Sequence, residues 1–223
     1  MPAVAIDYFT DILCVWAYIA QLRVDAVERE FGDQVRFNWK FCSVFGDARR
    51  KIRNAWHEKG MAGFNAHLRH SAEAFPEITL NPDLWLTVQP ASSTGAHLFL
   101  KAAQLAEAAG EEPEGTAIQT IRALREAFFR DGRDIASWDV QAEVGAASGL
   151  DIARLEARIR DGSAFAELAS DYQDADNLKL KGSPSFVLNQ GRQTLYGNVG
   201  FRIIEANLRE LLRQPNQDQA SWC

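Results

Sequence analysis

The sequence is short of several features that would each define a class of protein. Among its 223 residues only three are cysteine, at positions 14, 42 and 223, which is too few for a structural disulfide framework. No uninterrupted apolar run reaches the ~18 residues that a membrane-spanning helix needs. We therefore expect a protein of the reducing cytoplasm that has no membrane partner.

An excess of positive charge and an export signal are missing as well. Lys and Arg number 24 against 30 Asp and Glu, so the net charge is −6 and the pI is about 5.3. Since neutralising phosphates requires clustered cations and no basic stripe stands out, no nucleic-acid partner is expected. The N-terminus enters a strand pattern at once, without the charged start and apolar stretch of a signal peptide, so export is not expected.

Apolar residues are plentiful, at 47% of the chain, and their spacing indicates a strand, a helix and a second strand. The strands are predicted at Ala3 to Phe9 and at Val35 to Phe41, with a helix over Val15 to Phe31. Apolar and polar residues alternate along the second strand, which is typical of an edge strand with one wetter, more solvent-exposed face. A right-handed β-α-β unit would place the carboxyl ends of both strands, and with them Cys14 and Cys42, at one edge of the sheet.

The pattern from about residue 46 to 178 is mostly helical. Helices are predicted at Lys51 to Phe75, Ser93 to Ala109, Thr116 to Arg130, Ser137 to Ser148, Asp151 to Arg160 and Ser163 to Leu178. Strand signals return at Ser185 to Asn189 and at Gln193 to Tyr196, separated by a hairpin turn, and a last helix follows from about Val199 to Leu212.

The order β-α-β, helices, β-β-α predicts an α/β fold: a thioredoxin-like core with a four-stranded mixed sheet and a large all-helical insertion. Residues 1–45 and 179–223 would form a discontinuous thioredoxin-like domain, and residues 46–178 a helical insertion domain. A chain of 223 residues is long enough for both.

Cys14 lies where the first strand pattern gives way to a helix, in the run Asp11-Ile12-Leu13-Cys14-Val15-Trp16-Ala17-Tyr18. Unpaired N–H groups and the helix dipole favour a thiolate there, which predicts a lowered thiol pKa and a reactive nucleophile. If the pKa fell from about 8.5 to roughly 6, the thiolate fraction near pH 7 would rise to about 90 per cent. Ala17 occupies the position of the second cysteine of a C-x-x-C motif, so that disulfide cannot form. The alternative is a buried, inert cysteine.

Three segments carry a resemblance to a known family: Cys14-Val15-Trp16-Ala17-Tyr18, Ala127-Phe128-Phe129-Arg130-Asp131-Gly132-Arg133-Asp134-Ile135 and Gly182-Ser183-Pro184-Ser185-Phe186-Val187-Leu188-Asn189. Over nearly its whole length the chain resembles the DsbA-like thioredoxin superfamily. Within this superfamily it resembles the branch that includes FrnE-type oxidoreductases, kappa-class glutathione transferases and 2-hydroxychromene-2-carboxylate isomerases. Cys14 and Trp16 resemble the oxidoreductase motif C-P-W-C, whereas Ala17 matches the branch without a second thiol.

The resemblance implies that Pro184 is a cis proline opposite Cys14. Ser183 would then offer its backbone to a peptide or to glutathione as an added strand. The transferases and isomerases of this branch hold glutathione with a G-x-D-R-like motif after the hairpin. Here the corresponding stretch is Gly197-Asn198-Val199-Gly200, in which only Asn198 can supply a polar side-chain contact.

The remaining cysteines and the histidines have less specific interpretations. Cys42 is either a resolving thiol for Cys14 or a strand cysteine with no redox role, and Cys223 is interpreted as accidental. His67 and His70 share a helix face but lack further ligands, so no metal site is expected. His97 is interpreted as a packed or capping-region histidine.

Three functions follow from these residues. The first is a thiol-disulfide oxidoreductase that uses Cys14 alone, with catalytic Trp16 and Pro184, no bound cofactor and glutathione as co-substrate. The second is a glutathione-dependent transferase or isomerase in which residue 14 activates the glutathione thiolate. The third is a redox-inactive binding module. The expected partners are glutathione and disulfide-containing or glutathionylated proteins, and a homodimer is left open.

Overall fold

A four-stranded mixed sheet forms the centre of the computed structural model, which describes residues 4–213. Strands β1 (Val4–Thr10), β2 (Val35–Phe41), β3 (Ser185–Leu188) and β4 (Gln193–Tyr196) lie in the order β2-β1-β3-β4. β1 is parallel to β2 and antiparallel to β3, and β3 is antiparallel to β4. This arrangement confirms the predicted thioredoxin-like sheet, with β2 at its edge.

The β1-α1-β2 unit brings two loops together at one edge of the sheet. Helix α1 (Val15–Phe31) is followed by Gly32, whose φ of +50° suits glycine. The register pairs Thr10 with Phe41 at the carboxyl ends of β1 and β2. As a result, the loop after β1 and the loop after β2 lie side by side, and the chemistry-bearing residues of the first loop can bond to the second.

The two faces of the sheet pack into different apolar clusters. Tyr8 of β1 and Trp39 of β2 lie in the main core, with their rings edge to face at 5.0 Å. The opposite face holds a smaller cluster that contains Phe9, Cys42 and Val187. The prediction of a wetter face on β2 is therefore wrong at its carboxyl end, because Cys42 is buried there.

Helices occupy most of the segment between β2 and β3. They are α2 (Ala48–Ala55), α3 (Gly60–Ala72), α4 (Thr94–Ala108), α5 (Thr116–Phe129), α6 (Trp138–Ala147), α7 (Ile152–Arg160) and α8 (Ser163–Asn177), and α9 (Phe201–Leu212) follows β4. The prediction of one helix from Lys51 to Phe75 is wrong, since the chain leaves helical geometry at Trp56 and a new helix starts at Gly60. Within residues 4–213 no helix is both long and apolar enough to span a membrane.

A buried ion pair fixes the helical segment to the sheet. Asp171 of α8 accepts hydrogen bonds from the backbone N–H of Phe41 at 2.9 Å and from Lys101 of α4 at 2.6 Å. Because both side chains are buried, removing either one would leave an uncompensated charge. The contact holds α4 and α8 at the end of β2, next to the loops at the sheet edge. Helices α2 to α8 lie inside the segment predicted as an insertion domain, and the domain division itself stays a prediction.

Candidate active site

Cys14 occupies the N-cap position of α1. Its backbone is extended, with φ −84° and ψ 115°, while its carbonyl already accepts the first helical hydrogen bond, from the N–H of Tyr18 at 3.0 Å. The N–H of Cys14 donates to the carbonyl of Asp11 at 3.1 Å, which closes a tight turn after β1. The thiol is thus held at the positive end of a 17-residue helix.

The Ser183–Pro184 peptide bond faces this cysteine and is cis. The Cys14 thiol donates to the carbonyl of Ser183 at 3.2 Å, and the Ser183 hydroxyl accepts from the N–H of Asp11 at 2.8 Å. Ser183 therefore contacts both ends of the turn that carries Cys14. The structure brings together the two segments that the sequence analysis paired, the start of α1 and the residues before β3.

The pKa of the Cys14 thiol is raised above its usual range, and burial is the main cause. The N–H groups of Ala17 and Trp16 and the hydroxyl of Ser183 act in the opposite direction, while the negative charge of Asp11 adds to the increase. The prediction of a lowered pKa is therefore wrong for the resting protein. The helix start does favour the thiolate, but the loss of solvation at a side chain that is 6% exposed outweighs it.

Asp11 organises the site and was missed by the sequence analysis. Its fully buried carboxylate accepts hydrogen bonds from the N–H groups of Leu13, Val44 and Phe45 and from the hydroxyl of Ser93, at 2.7 to 2.9 Å. Hydrogen bonds to an ionised acceptor are about twice as strong as neutral ones. One carboxylate thereby joins the turn before α1, the loop after β2 and the residue that precedes α4.

His97 accepts a hydrogen bond from the turn that precedes α1. Its Nε2 accepts the N–H of Ile12 at 3.1 Å, so the ring proton lies on Nδ1, which donates to the hydroxyl of Tyr172 at 2.9 Å. The ring is fully buried and stacks on Phe41 at 4.5 Å. Burial lowers the pKa of His97 to about 4, so the imidazole is neutral at neutral pH. The interpretation of His97 as a packed residue agrees with this position.

A cleft of about 200 Å³ opens over Cys14. Aromatic and aliphatic side chains form most of its wall: Trp16, Phe45, Phe64, Leu68 and Tyr196. Lys51, His67 and Lys181 also line the cleft, and Gly182 and Ser183 complete it. A small thiol or a peptide side chain that enters the cleft lies next to Cys14.

Residues 5–209 match the family model of the DSBA-like thioredoxin domain. The chain belongs to this family. The match covers both halves of the sheet and all the helices between them, so it includes Cys14 and the Ser183–Pro184 bond. Among curated proteins none matches the chain.

Solved structures of other DsbA-like proteins share this fold. A probable DsbA oxidoreductase from Streptomyces coelicolor superposes with a TM-score of 0.75 at 18% identity, over 97% of this chain and 93% of that chain. The cytosolic disulfide reductase DsbM from Pseudomonas aeruginosa with GSH gives 0.66 at 20% identity, over 92% and 100%. A 2-hydroxychromene-2-carboxylate isomerase gives 0.65 at 16% identity, over 97% and 100%. At these identities the likeness shows the fold.

Arg125 of α5 is a buried cation in the core of this DSBA-like domain. The guanidinium is fully buried, and its Nη atoms donate to the side chains of Gln21 at 2.7 Å and Thr10 at 2.6 Å. No carboxylate between residues 4 and 213 pairs with it. Its charge favours the ionised forms of Tyr8 and Cys14, yet burial still raises the pKa of Tyr8 to about 12. The Arg125 guanidinium is therefore a buried positive charge that acts on the Cys14 thiol and has no carboxylate partner within residues 4–213.

The other predicted site residues lie in different surroundings. Cys42 packs in the small cluster on the far face of the sheet, no disulfide joins it to Cys14, and burial raises the pKa of its thiol. Asn198 is exposed and is not part of the cleft wall. Among residues 4–213 the histidines of α3 form no metal site with their neighbours. His70 pairs with Glu73 at 3.0 Å on the surface of α3. Within the described residues no cluster of His, Cys, Asp or Glu could hold a metal ion, and Cys223 lies outside them.

Proposed function

We propose that the protein is a thiol-disulfide oxidoreductase that uses Cys14 as its only redox-active thiol. The observation that carries this proposal is the position of the Cys14 sulfur, which lies at the start of α1, lines the cleft and is 3.2 Å from the Ser183 carbonyl. A disulfide in the cleft can approach the sulfur while its backbone aligns with Ser183. Ala17 is fully buried and offers no thiol, so a second molecule must complete the reaction.

The proposed reaction has two exchange steps. The Cys14 thiolate attacks a glutathionylated cysteine at the glutathione sulfur, which forms a Cys14–glutathione disulfide and releases the substrate as a thiolate that takes up a proton. A glutathione thiolate then attacks that mixed disulfide, which regenerates Cys14 and releases oxidised glutathione. In sum one substrate disulfide is reduced and two glutathione moieties are joined, with glutathione as the reductant.

Glutathione is proposed as co-substrate, with no bound cofactor, and the reducing cytoplasm as the compartment. Thiol-disulfide exchange needs no metal, and the cytoplasmic poise favours reduction over net oxidation. The structural neighbour DsbM is described as a cytosolic disulfide reductase with GSH, which is consistent with this choice.

A glutathione-dependent isomerase or transferase is the second candidate, and the raised pKa of Cys14 favours it. A thiol that stays protonated at neutral pH can donate a hydrogen bond to a bound glutathione thiolate. In that mechanism the sulfur of residue 14 forms no covalent bond, and a hydroxyl could replace it.

Turnover of a glutathionylated peptide by reduced glutathione, coupled to reduction of the oxidised glutathione, separates the two candidates. We expect Cys14→Ser and Cys14→Ala to be equally inactive, because neither carries a sulfur. If Cys14→Ser instead kept a glutathione-dependent activity that Cys14→Ala lost, residue 14 would be a hydrogen-bond donor and the monothiol exchange would be wrong.

A further inference from the structure

Helix α2, next to the cleft, is strongly basic in an otherwise acidic protein. Between residues 46 and 60 there are five Lys or Arg and two acidic residues, whereas the whole chain has a net charge of −6. Four of these cations, Arg49, Arg50, Lys51 and Arg53, are on α2 itself, and all four are exposed. The helix is therefore a local positive surface.

A groove extends from the cleft along this helix. Lys51 and Val44 line both the cleft over Cys14 and a neighbouring groove of about 450 Å³. Arg50 and Asn54, one helical turn apart on α2, line that groove but not the cleft, and so does Asp47. A chain segment that leaves the cleft on this side would pass Lys51 first and Arg50 next.

Most of these charges have no ion-pair partner between residues 4 and 213. Arg50 is 3.5 Å from Asp47, and this exposed pair is weakened by solvent. Arg49, Lys51, Arg53 and Lys181 form no ion pair with any residue from 4 to 213. Lys51 instead places its ammonium 5.4 Å from the centre of the Phe45 ring at the cleft wall. The positive charges are available to a bound anion.

We propose that α2 and Lys181 select protein disulfides whose cysteine is flanked by Asp or Glu residues. This inference rests on the proposed function of Cys14 and adds a substrate class to it. The cysteine disulfide of the target would enter the cleft, its backbone would align with Ser183, and acidic residues on one side would contact Lys51 and Arg50.

A short acidic peptide fits the surface better than a nucleic acid does. Outside residues 46–60 and Lys181 the chain has a net negative charge, with 18 Lys and Arg against 28 Asp and Glu, which disfavours a long polyanion. The groove also begins at a sulfur nucleophile, for which a peptide disulfide is a substrate and a nucleotide is not. Exposed charge pairs act mainly on the rate of association and are screened by salt, so the effect should appear in second-order rate constants at low ionic strength.

The test uses three peptides as glutathione mixed disulfides that differ only in whether Glu, Gln or Lys flanks the cysteine. The rate of Cys14 modification is followed by intact mass. Each rate is divided by the rate of the same peptide with free glutathione, which removes differences in intrinsic reactivity. The protein variant is R50Q/K51Q, and its matched control is R36Q/R192Q, which removes two exposed charges at the opposite end of the sheet.

At low salt we expect the acidic peptide to react about tenfold faster than the basic one. The ratio should fall to about twofold in R50Q/K51Q and stay unchanged in R36Q/R192Q. It should also approach one near 0.5 M NaCl, where the Debye length is roughly 4 Å.

Three outcomes would overturn the inference. The first is equal rates for the three peptides, which leaves the proposed function intact. The second is a preference that R50Q/K51Q retains. The third is tight binding of a single-stranded oligonucleotide that R50Q/K51Q abolishes, without discrimination among peptides, which would make α2 a nucleic-acid surface. If even the Gln peptide fails to modify Cys14, the proposed function itself is wrong.

Discussion

Cys14 and Cys42 are about equally buried, at 6% and 5% exposure, and yet they differ in the groups that contact the thiol and in the space beside it. Cys14 follows β1 at the start of a helix and lines a cleft, and its thiol donates to Ser183. Cys42 follows β2 and packs against Phe9, Ala175 and Val187. Burial raises the pKa of both thiols.

The comparison teaches that neither exposure nor the direction of the pKa change identifies the working thiol. What distinguishes Cys14 is the set of groups that can stabilise its thiolate and the space in front of it. The N–H groups of Trp16 and Ala17 and the Ser183 hydroxyl lower its pKa, and no such donor acts on Cys42. The asymmetry between the two cysteines is therefore the feature to test.

Replacing the cysteines one at a time should give the largest difference. Cys14→Ser should lower the glutathione-dependent turnover of a mixed disulfide by at least about 1000-fold, because the nucleophile is lost. Cys42→Ser should stay within about twofold of the parent, since its side chain lies away from the cleft. Equal losses in the two variants would instead identify Cys42 as the resolving thiol.

Asp11 connects the surroundings of the two thiols, because its charge raises the pKa of both. Asp11→Asn replaces an acceptor with a donor that faces N–H groups, so it should lower the free energy of unfolding by about 3 kcal/mol in urea titrations. Asp7→Asn is the control. Its carboxylate accepts a hydrogen bond from Asn38 at a half-buried site, and its loss should cost less than about 1 kcal/mol. Equal costs would mean that the Asp11 network does not hold the loops.

His97 gives the Cys14 side of the site a pH dependence. Its folded-state pKa of about 4 lies below the usual value near 6.5, so the neutral ring stabilises the fold above pH 6.5 and this stability is lost as the pH falls towards 4. The expected slope is about 1.4 kcal/mol per pH unit in that window. In His97→Gln the amide can still accept from Ile12 but does not titrate. The stability gap between parent and variant should therefore shrink between pH 7 and pH 4, and a constant gap would contradict the buried neutral imidazole.

The smallest expected difference between Cys14 and Cys42 is in their rates of alkylation, which report on each thiol separately. Because both thiols are protonated at neutral pH, the rate of Cys14 alkylation by iodoacetamide should rise about tenfold per pH unit from pH 7 to 9. Cys42 should react more slowly at every pH, since it is packed against Phe9, Ala175 and Val187 and does not line the cleft over Cys14. Peptide mapping by mass measures both sites in one sample. A Cys14 rate that is already constant between pH 7 and pH 9 would show that the helix start outweighs burial.

Much of the fold could be predicted from local patterns. The alternation of β2 and the periodicity of α1 are set by neighbouring residues, and both elements have the predicted bounds. The break between α2 and α3 was not predicted because Trp56 to Lys59 contain no proline or glycine, and the glycine that starts the next helix, Gly60, was read as part of a continuous helix.

The site was predictable only where a family motif marks it. Cys14, Trp16 and Ser183 lie on the cleft as the resemblance implies. Asp11, His97 and Arg125 could not be assigned from spacing, because their partners are up to 172 residues away in the chain. The pKa of Cys14 could not be predicted either, since it depends on how completely distant segments cover the helix start.

The most direct test of a single working thiol is to incubate the protein with oxidised glutathione and map the products by mass. The account predicts a glutathione on Cys14 that is missing from the same site in Cys14→Ser, and no modification of Cys42. Loss of two protons with a disulfide mapped to Cys14 and Cys42 would contradict it, and so would a parent protein that remains unmodified.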